Sequence, residues 1–470
     1  MATISSPGIG SGLDVKSIVS QLIALEKQPL TALQVQAATV NAKISSFGQT
    51  KSLVSALSDA ASTLNSLTTF NGVTTSSSNT SVLTASAIGG TAANSFTVKV
   101  DSLAKAQSTA SAALLPVGGA LGAGILRLQL GQWTVAPASF TPQTGVAPVD
   151  ITVSATDTVT DVASKINGAN AGVSATVLND SSGQRLLLRS SSTGVVAGFQ
   201  LSATSDADGN TTDNAGLSRL VAGTSYQYGA DARIQVNGIP VSSSSNTFSN
   251  VVSGVTLTAV APNDATADVA VVPDKSLVSD AINKFVAAYN AINDALNEQT
   301  KYDPATKTAG LLQGDPTAIG LQSALRGILQ STTSGSAYKR LADIGITQQL
   351  GGDLAVDNTK LKTALANGDE VKKLFKNDNG NPLTNGVALK FKTFSQGLLS
   401  AAGLFSSTDA SLKRALAANT NDQDKLNAKI TRDETALNRR YSALDVQLST
   451  LNSLSAYVTQ QVAQWNKSPA

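Results

Sequence analysis

The chain has 470 residues, too many for one ordinary hydrophobic core, since a domain typically holds ~100–200 residues. Its 34 basic and 32 acidic residues leave a formal net charge of +2, and only 14% of the residues are charged. Such a chain produces no strong electric field that would attract nucleic acid or an anionic membrane. We therefore expect several domains and no nucleic-acid partner.

Cysteine and histidine are both absent. Their absence removes disulfides, thiol catalysis, nearly all zinc sites and the usual general base near neutral pH. Most hydrolytic and redox mechanisms then lack a necessary part, so the composition predicts a protein that is not an enzyme and has no catalytic residues, cofactor or metal. Two explanations for the missing cysteines stay open: drift in a surface protein, and export of an unfolded chain that must not form stray disulfides.

The chain begins MATISSPGIGSGLDVKSI, without a basic segment followed by a continuous apolar run. It therefore lacks the pattern of a cleaved secretory signal. No stretch of ~18 uncharged apolar residues, as a membrane-spanning helix requires, occurs elsewhere. We expect no membrane insertion, and export, if it occurs, without a removable signal peptide.

The sequence divides into three compositional zones. Residues 13–67 have helical periodicity, residues 73–273 have the alternation of β-strands, and residues 276–466 are helical again. The β zone is thus an insertion between two helical arms. The predicted fold class is α+β and multidomain, with paired N- and C-terminal coiled-coil helices, a helical bundle domain and two inserted β-rich domains.

The first arm contains two predicted helices. Asp14 or Ser11 is suited to cap the first, and Pro29 interrupts the pattern and suits the first turn of the second. Apolar spacings of three and four predict a buried stripe on each helix: Val15, Ile18, Val19, Leu22 and Leu25 on the first, and Leu30, Leu33, Ala37, Val40, Ile44 and Phe47 on the second.

The last arm carries a longer apolar repeat. Its members alternate four and three residues apart, with one polar position among them: Leu437, Tyr441, Leu444, Leu448, Leu451, Ser455, Val458, Val462 and Trp465. Two apolar residues per heptad recover ~3–6 kcal/mol when fully buried, whereas fixing seven backbones costs ~7–14 kcal/mol. A lone helix of this kind is marginal in water, so we expect the arms to pair with each other and with neighbouring copies.

Strands and helices between the arms suggest how the zones divide. Short alternating runs such as Phe96–Val100 indicate strands, one helix is predicted from Val159 to Asn167, and the stripe from Leu277 through Tyr289 should join a helical bundle. The predicted domains are an N-terminal helical arm at 1–44 paired with 431–470, a helical bundle at 45–72 and 276–430, a β-rich domain at 73–102 and 224–275, an inserted outer β-rich domain at 103–223, and a C-terminal coiled coil at 431–470.

Two polar patterns carry weaker signals. Gly8, Gly10 and Gly12 precede a helix, but no strand comes before them, which disfavours a dinucleotide loop and favours a flexible lead-in. Asp206 and Asp208 lie in a loop crowded with oxygen atoms, but the spacing of an EF-hand is missing. We favour a polar surface loop over a calcium site.

The aromatic residues of the β zone allow two interpretations. Trp133, Phe140, Tyr226 and Tyr228 are suited to a contact or glycan-binding surface, because aromatic side chains are enriched at interfaces. Single aromatic residues in small β domains are more often part of the core. The core interpretation is favoured.

Several sequence blocks resemble one bacterial family. The opening block Ile4–Asp14 (ISSPGIGSGLD) is similar to the N-terminus of the flagellar filament cap family, hook-associated protein 2. Arg440–Asp445 (RYSALD) and Leu451–Gln461 are similar to its C-terminal signature. Leu341–Thr347 (LADIGIT) resembles its helical-domain motif, and residues 159–194 resemble the repeat shared by hook and flagellin-associated proteins.

The resemblance implies a role in filament growth. A homo-oligomeric ring, expected to be a pentamer, would cap the extracellular tip of the flagellum and assist the folding and insertion of exported flagellin. The implied partners are other copies of the chain, flagellin, the hook-filament junction protein and a cytoplasmic export chaperone, with export through the flagellar secretion apparatus. A further role in cell adhesion is compatible with capping.

Two alternatives are retained. Another flagellar axial protein, such as a hook-filament junction protein, would share paired terminal helices. A surface glycan-binding adhesin would use the β zone.

Two sets of contact residues follow from the resemblance. A flexible leading segment and the start of the leg are assigned to Pro7, Gly8, Gly10, Gly12 and Leu13. A paired helix that contacts partners is assigned to Leu437, Tyr441, Leu444, Leu448, Leu451, Val458, Val462 and Trp465. Packing within a single chain is the competing explanation for the second set.

Overall fold

The computed structural model describes residues 14–135, 138–221 and 223–466. The helices are α1 (Val15–Glu26), α2 (Gln28–Leu64), α3 (Leu67–Phe70), α4 (Val159–Gly168), α5 (Lys275–Thr300), α6 (Pro316–Gln330), α7 (Asn358–Ala364), α8 (Gly368–Lys376), α9 (Val387–Leu399) and α10 (Leu404–Trp465). Short 3₁₀ turns span Val195–Ala197, Gly216–Leu220, Leu341–Ile344 and Leu365–Asn367.

The strands concentrate between α3 and α5. They are β1 (Val73–Ser77), β2 (Leu83–Ala87), β3 (Asn94–Ser102), β4 (Ser108–Ser111), β5 (Gly124–Val135), β6 (Ala138–Pro142), β7 (Val149–Val153), β8 (Val173–Asp180), β9 (Gly183–Ser190), β10 (Gly198–Asp206), β11 (Gly223–Gln227), β12 (Ala232–Val236), β13 (Ile239–Ser243), β14 (Thr247–Val252), β15 (Val255–Ala259), β16 (Ala267–Pro273), β17 (Tyr302–Asp303), β18 (Thr308–Ala309), β19 (Ile346–Gln348) and β20 (Leu354–Val356). Long terminal helices around a strand-rich middle confirm the predicted α+β class.

The chain divides into two compact units. One combines the chain up to Thr69 with the chain from Val278 onward, and the other spans Phe70–Leu277. The second unit is an insertion in the first, as the three zones of the sequence predict.

In the inserted unit, one core lies between two antiparallel sheets. The strand orders are β1-β16-β3-β12-β13 and β14-β15-β2. On β3, Phe96, Val98 and Val100 are buried while the residues between them are more exposed, because successive side chains of a strand point to opposite faces. They pack with Phe248 and Leu257 of the smaller sheet in one core.

A second core forms in the same unit from β4 to β10, α4 and the turn at Gly216–Leu220. Its sheets have the orders β10-β5-β6, with β7 also on β5, and β11-β4-β9-β8. Val162 and Ile166 of α4 are fully buried in this core with Leu126 and Phe199. The predicted helix from Val159 is confirmed and ends one residue later than expected, at Gly168.

The predicted boundaries at 103–223 and at 73–102 with 224–275 remain a proposal. Their support is that one core draws its buried residues from Leu114 to Leu220, and the other from Val82 to Ala104 and from Ala232 to Val271.

The helical unit buries the second half of α2. Val54 and Leu57 are at most 1% exposed, and α2 continues through them as one helix. On α5, Phe285 and Tyr289 pack edge-on against Phe391 of α9, with ring centroids 5.1 and 6.1 Å apart. Such edge-to-face pairs add to the hydrophobic stabilisation of the bundle.

One predicted member of the α5 stripe is not buried. Leu277 is 45% exposed, whereas Val278 and Ile282 are buried. Leu277 lies in the first turn of α5, and the buried run of the helix begins one residue later. The helical period was therefore correct, but the start of the stripe was wrong.

Adding a methyl group at two glycines of the helical unit should change the free energy of unfolding in opposite directions. A Cβ at Gly310 would lie 2.3 Å from the backbone oxygen of Gln299, whereas a Cβ at Gly320, inside α6, meets nothing within 4 Å. We expect Gly310→Ala to lower the free energy of unfolding by ~1–3 kcal/mol through overpacking. Gly320→Ala should raise it by ~0.5–1 kcal/mol through helix propensity. Chemical denaturation of both variants measures the difference, and equal effects would contradict the backbone contact.

Candidate functional site

The first helix packs against the last. Val15, Val19 and Ile23 of α1 are each at most 4% exposed and form one cluster with Ile430 of α10. Leu426, Leu437 and Tyr441 are partly buried against the same cluster. A twelve-residue helix is unstable alone, so these contacts supply most of the free energy that keeps α1 folded.

Polar contacts fix the register of this pairing. Asp14 caps α1 by accepting a hydrogen bond from the Ser17 amide at 2.9 Å, as the sequence predicts. The carboxylate of Glu26 lies 3.9 Å from the ammonium of Lys429. Because higher residue numbers on α1 and α2 meet lower numbers on α10, the helices run antiparallel.

Asn419 is a buried polar residue in the pairing of α2 with α10. It is 6% exposed, and its Nδ2 donates to the Leu33 carbonyl and to Gln36 Oε1 of α2, both at 3.1 Å. Its Oδ1 accepts from Gln423 at 2.6 Å. The hydrogen-bond partners of this buried amide are in reach at a single alignment of α2 with α10. The amide therefore favours that alignment, as a buried asparagine does in coiled coils. The contact also shows that α10 pairs with α2 well before residue 431, where the paired segment was predicted to begin.

Beyond Tyr441 the apolar repeat of α10 loses its cover. We call residues 446–466 the distal tract; none of them is buried. Leu448 is half-buried, and five members of the repeat are exposed by 40–83%: Leu444, Leu451, Val458, Val462 and Trp465. The distal tract also contains no charged residue. Its apolar side chains form a long uncharged surface that, among the described residues, is partly covered only near Leu448.

Comparisons with known proteins identify the family. Models described as the N-terminus and the C-terminus of flagellar hook-associated protein 2 match residues 11–107 and 229–453. The flagellar hook-associated protein 2 of Escherichia coli (strain K12) is 30% identical, and the match covers 98% of each chain. The chain belongs to the flagellar hook-associated protein 2 family.

Further similarities agree. The B-type flagellar hook-associated protein 2 of Pseudomonas aeruginosa is 32% identical over 85% of this chain and 86% of its own length. A crystal structure of the D1-D2-D3 domains of the flagellar cap protein FliD from Escherichia coli is 26% identical, with a TM-score of 0.58, over 78% of this chain and 99% of that one. A flagellin hook IN motif matches residues 139–197, which confirms the predicted hook-type repeat.

The structure separates the predicted contact residues of this family member into three groups. Leu437 and Tyr441 pack within the chain, while the repeat from Leu444 to Trp465 is open or half-covered. Pro7, Gly8, Gly10, Gly12 and Leu13 lie outside the described residues. Which of these residues contact partners remains a prediction.

The predicted stripe of α1 was wrong in part. Leu22 and Leu25 were expected to be buried, but they are 37% and 61% exposed, and Ile23 is buried in their place. Val15, Val19 and Ile23 are spaced by four, whereas the predicted stripe also used spacings of three. Both choices satisfy helical periodicity, and the position of α10 decides between them.

Three acidic residues of the inserted unit have structural roles. Thr158 caps α4 and Asp161 completes the capping box, and hydrogen bonds from the backbone amide and hydroxyl of Thr158 lower the pKa of the Asp161 carboxyl. Asp157 forms an ion pair with Lys165. Asp206 accepts a hydrogen bond from the Ser218 amide at 2.9 Å.

Over the described ranges no three acidic side chains are placed to share a metal ion, and no helix has the length and hydropathy of a membrane span.

Trp133, Phe140 and Tyr228 form a half-buried aromatic cluster in the inserted unit, while the side chain of Tyr226 lies outside the described part of the structure. The ring of Trp133 lies 5.1 Å from Phe140 and 5.8 Å from Tyr228, and its indole N–H donates to the Phe199 carbonyl at 2.9 Å. The indole donor is thus already used within the domain. This arrangement fits a packing role, as favoured from the sequence, better than an open platform for a sugar ring.

A pair of substitutions on α1 tests the packing with α10. Ile23→Ala should cost ~2–5 kcal/mol locally, because it removes a buried side chain from the cluster. Amide exchange in Val15–Glu26 should then accelerate by at least about tenfold. Leu25→Ala, on the exposed face, should leave exchange nearly unchanged. Hydrogen–deuterium exchange measures both variants, and equal acceleration would contradict the packing.

Proposed function

We propose that this chain caps the tip of a flagellar filament as a homo-oligomeric ring and assists the insertion of exported flagellin. The observation that carries the proposal is the distal tract, which continues a helix whose first part is packed within the chain. Membership of the family and the likeness to a protein described as a flagellar cap support it.

The distal tract needs partners for a physical reason. Its 21 residues extend ~30 Å as a helix, and an isolated helix of this length with exposed leucine and valine side chains is marginal in water. Copies arranged in a ring, with five subunits expected, would cover these side chains by bringing equivalent helices side by side. Neighbouring copies are therefore the first partners we propose.

The absence of charge in the distal tract suits contacts that form and break during growth. An interface without ion pairs has no charged groups to desolvate or to leave unpaired when a contact opens. Flagellin subunits that enter below the ring could then displace one contact at a time, with the free energy for insertion coming from the folding of flagellin itself. The mechanism needs no catalytic group.

The same exposed face suggests the remaining partners. Before export it needs cover in the cytoplasm, the role proposed for an export chaperone, and at the start of filament growth it would meet the hook-filament junction protein. We propose that the chain reaches the extracellular tip through the flagellar secretion apparatus without a cleaved signal peptide.

Charge substitutions in the distal tract test the proposal. Val458 and Gln460 are both exposed, but they lie ~200° apart around the helix axis. Val458→Glu places a carboxylate in the apolar repeat, which should cost several kcal/mol at each contact that buries it. We expect loss of self-association in analytical ultracentrifugation and loss of filament elongation, with both retained in Gln460→Glu. Normal elongation with Val458→Glu would refute the role of this face.

Location distinguishes the alternatives. Electron microscopy of labelled protein should place it at filament tips, whereas a junction protein would lie at the filament base. Binding of glycans by the isolated strand-rich unit would instead favour the adhesin. The half-buried position of Trp133, with its indole N–H already bonded, gives that alternative little support.

A further inference from the structure

An apolar cleft opens in the helical unit between the end of α6 and α9. It has a volume of about 430 Å³ and is walled by Gly327 and Ile328 of α6, Leu383 of the loop that precedes α9, and Leu389 and Phe394 of α9. This volume lies in the range of small-molecule sites, ~300–1,000 Å³. None of the contacts described for the terminal helices involves this cleft.

A cation lies in the wall of the cleft. Lys390 is only 9% exposed, and its Nζ donates to Ser331 Oγ at 2.7 Å and to the Thr332 carbonyl at 2.9 Å. An ammonium group has three N–H donors, and no described residue accepts from the third. Within the described ranges no carboxylate lies within 4.0 Å of it.

A buried lysine without a counter-ion is unusual. Lysine is almost never fully buried unless it is paired, because removing the charge from water is costly. Burial accordingly lowers the pKa of Lys390. Its two hydrogen bonds hold the end of α6, where a cation is favourable beside the last carbonyls of a helix. That role uses two donors and leaves both the third donor and the apolar volume unexplained.

We propose that this cleft binds a small aliphatic carboxylate, with the carboxylate on Lys390 and the hydrocarbon chain along Ile328, Leu389 and Phe394. The charge is complementary, and the walls beside it are mainly apolar. A peptide segment fits less well, because its backbone amides would enter an apolar cleft that offers them few partners. The proposal does not depend on the role in filament growth, and failure of one leaves the other intact.

The test compares decanoate with two molecules of the same length. Calorimetric titration of the full chain should detect decanoate, and 1-decanol should bind at least about tenfold more weakly, because a charge-assisted hydrogen bond is worth ~1.5–3 kcal/mol. Decylammonium should bind more weakly still. In Lys390→Met the preference for decanoate over decanol should disappear. Equal binding of decanoate and decanol to the native chain would overturn the proposal.

A second pair of variants keeps Lys390 and its hydrogen bonds. Gly327 lines the cleft, and a Cβ there meets nothing within 4 Å, so Gly327→Leu fills the space from α6. Gly320→Leu on the same helix, away from the cleft and equally free of contacts, is the matched control. Decanoate binding should fall at least about tenfold in the first and persist in the second. Unchanged binding in Gly327→Leu would place the ligand elsewhere and refute the site.

Self-association provides the remaining check. If decanoate dissociates oligomers of the native chain in ultracentrifugation, and Gly327→Leu prevents those oligomers from forming, the cleft is an interface between copies. That result would overturn the proposal. Decanoate binding without any change in oligomeric state supports it.

Discussion

The antiparallel packing of α1 and α2 against α10 is the contact on which the helical unit depends. It joins the two ends of the chain across an insertion of about two hundred residues, Phe70–Leu277, which has its own cores. The apolar contacts near Ile430 supply free energy, and the amide of Asn419 supplies register. Because the pairing covers only part of α10, the apolar side chains of the distal tract stay exposed.

Two side-chain amides bond to the backbone of a strand residue as a neighbouring strand would. Gln107 is 1% exposed and exchanges both of its hydrogen bonds with the backbone of Phe199, at 2.7 and 2.8 Å. Asn290 makes the same exchange with Leu354, at 2.9 and 2.7 Å. Buried backbone groups must be satisfied, and an amide offers both a donor and an acceptor. Gln107 thereby ties the segment before β4 to β10, and Asn290 ties α5 to β20.

Charge is distributed to match these roles. Ion pairs lie on the surfaces of folded elements, as between Arg127 and Asp150, where solvent screens them and their contribution is small. The distal tract has no charged residue, so a partner that covered it would gain free energy mainly from the burial of apolar surface. Lys390 is different: it is a cation buried in the helical unit with two neutral acceptors, and no carboxylate of the described residues lies within 4.0 Å of it. Burial of apolar side chains therefore contributes more to the stability of the folded parts than these ion pairs do.

The sequence by itself determined the class of fold, because helical and strand periodicities differ and the switch between them is visible near residues 73 and 276. It also determined the cap at Asp14, since capping depends on a few adjacent residues. Only the tertiary structure decided that Ile23 is buried and Leu25 exposed, because both satisfy the period of α1 and the choice belongs to a helix some four hundred residues away. The same holds for the partners of Lys390: burial and the lack of a counter-ion are properties of the surroundings, which local sequence does not contain.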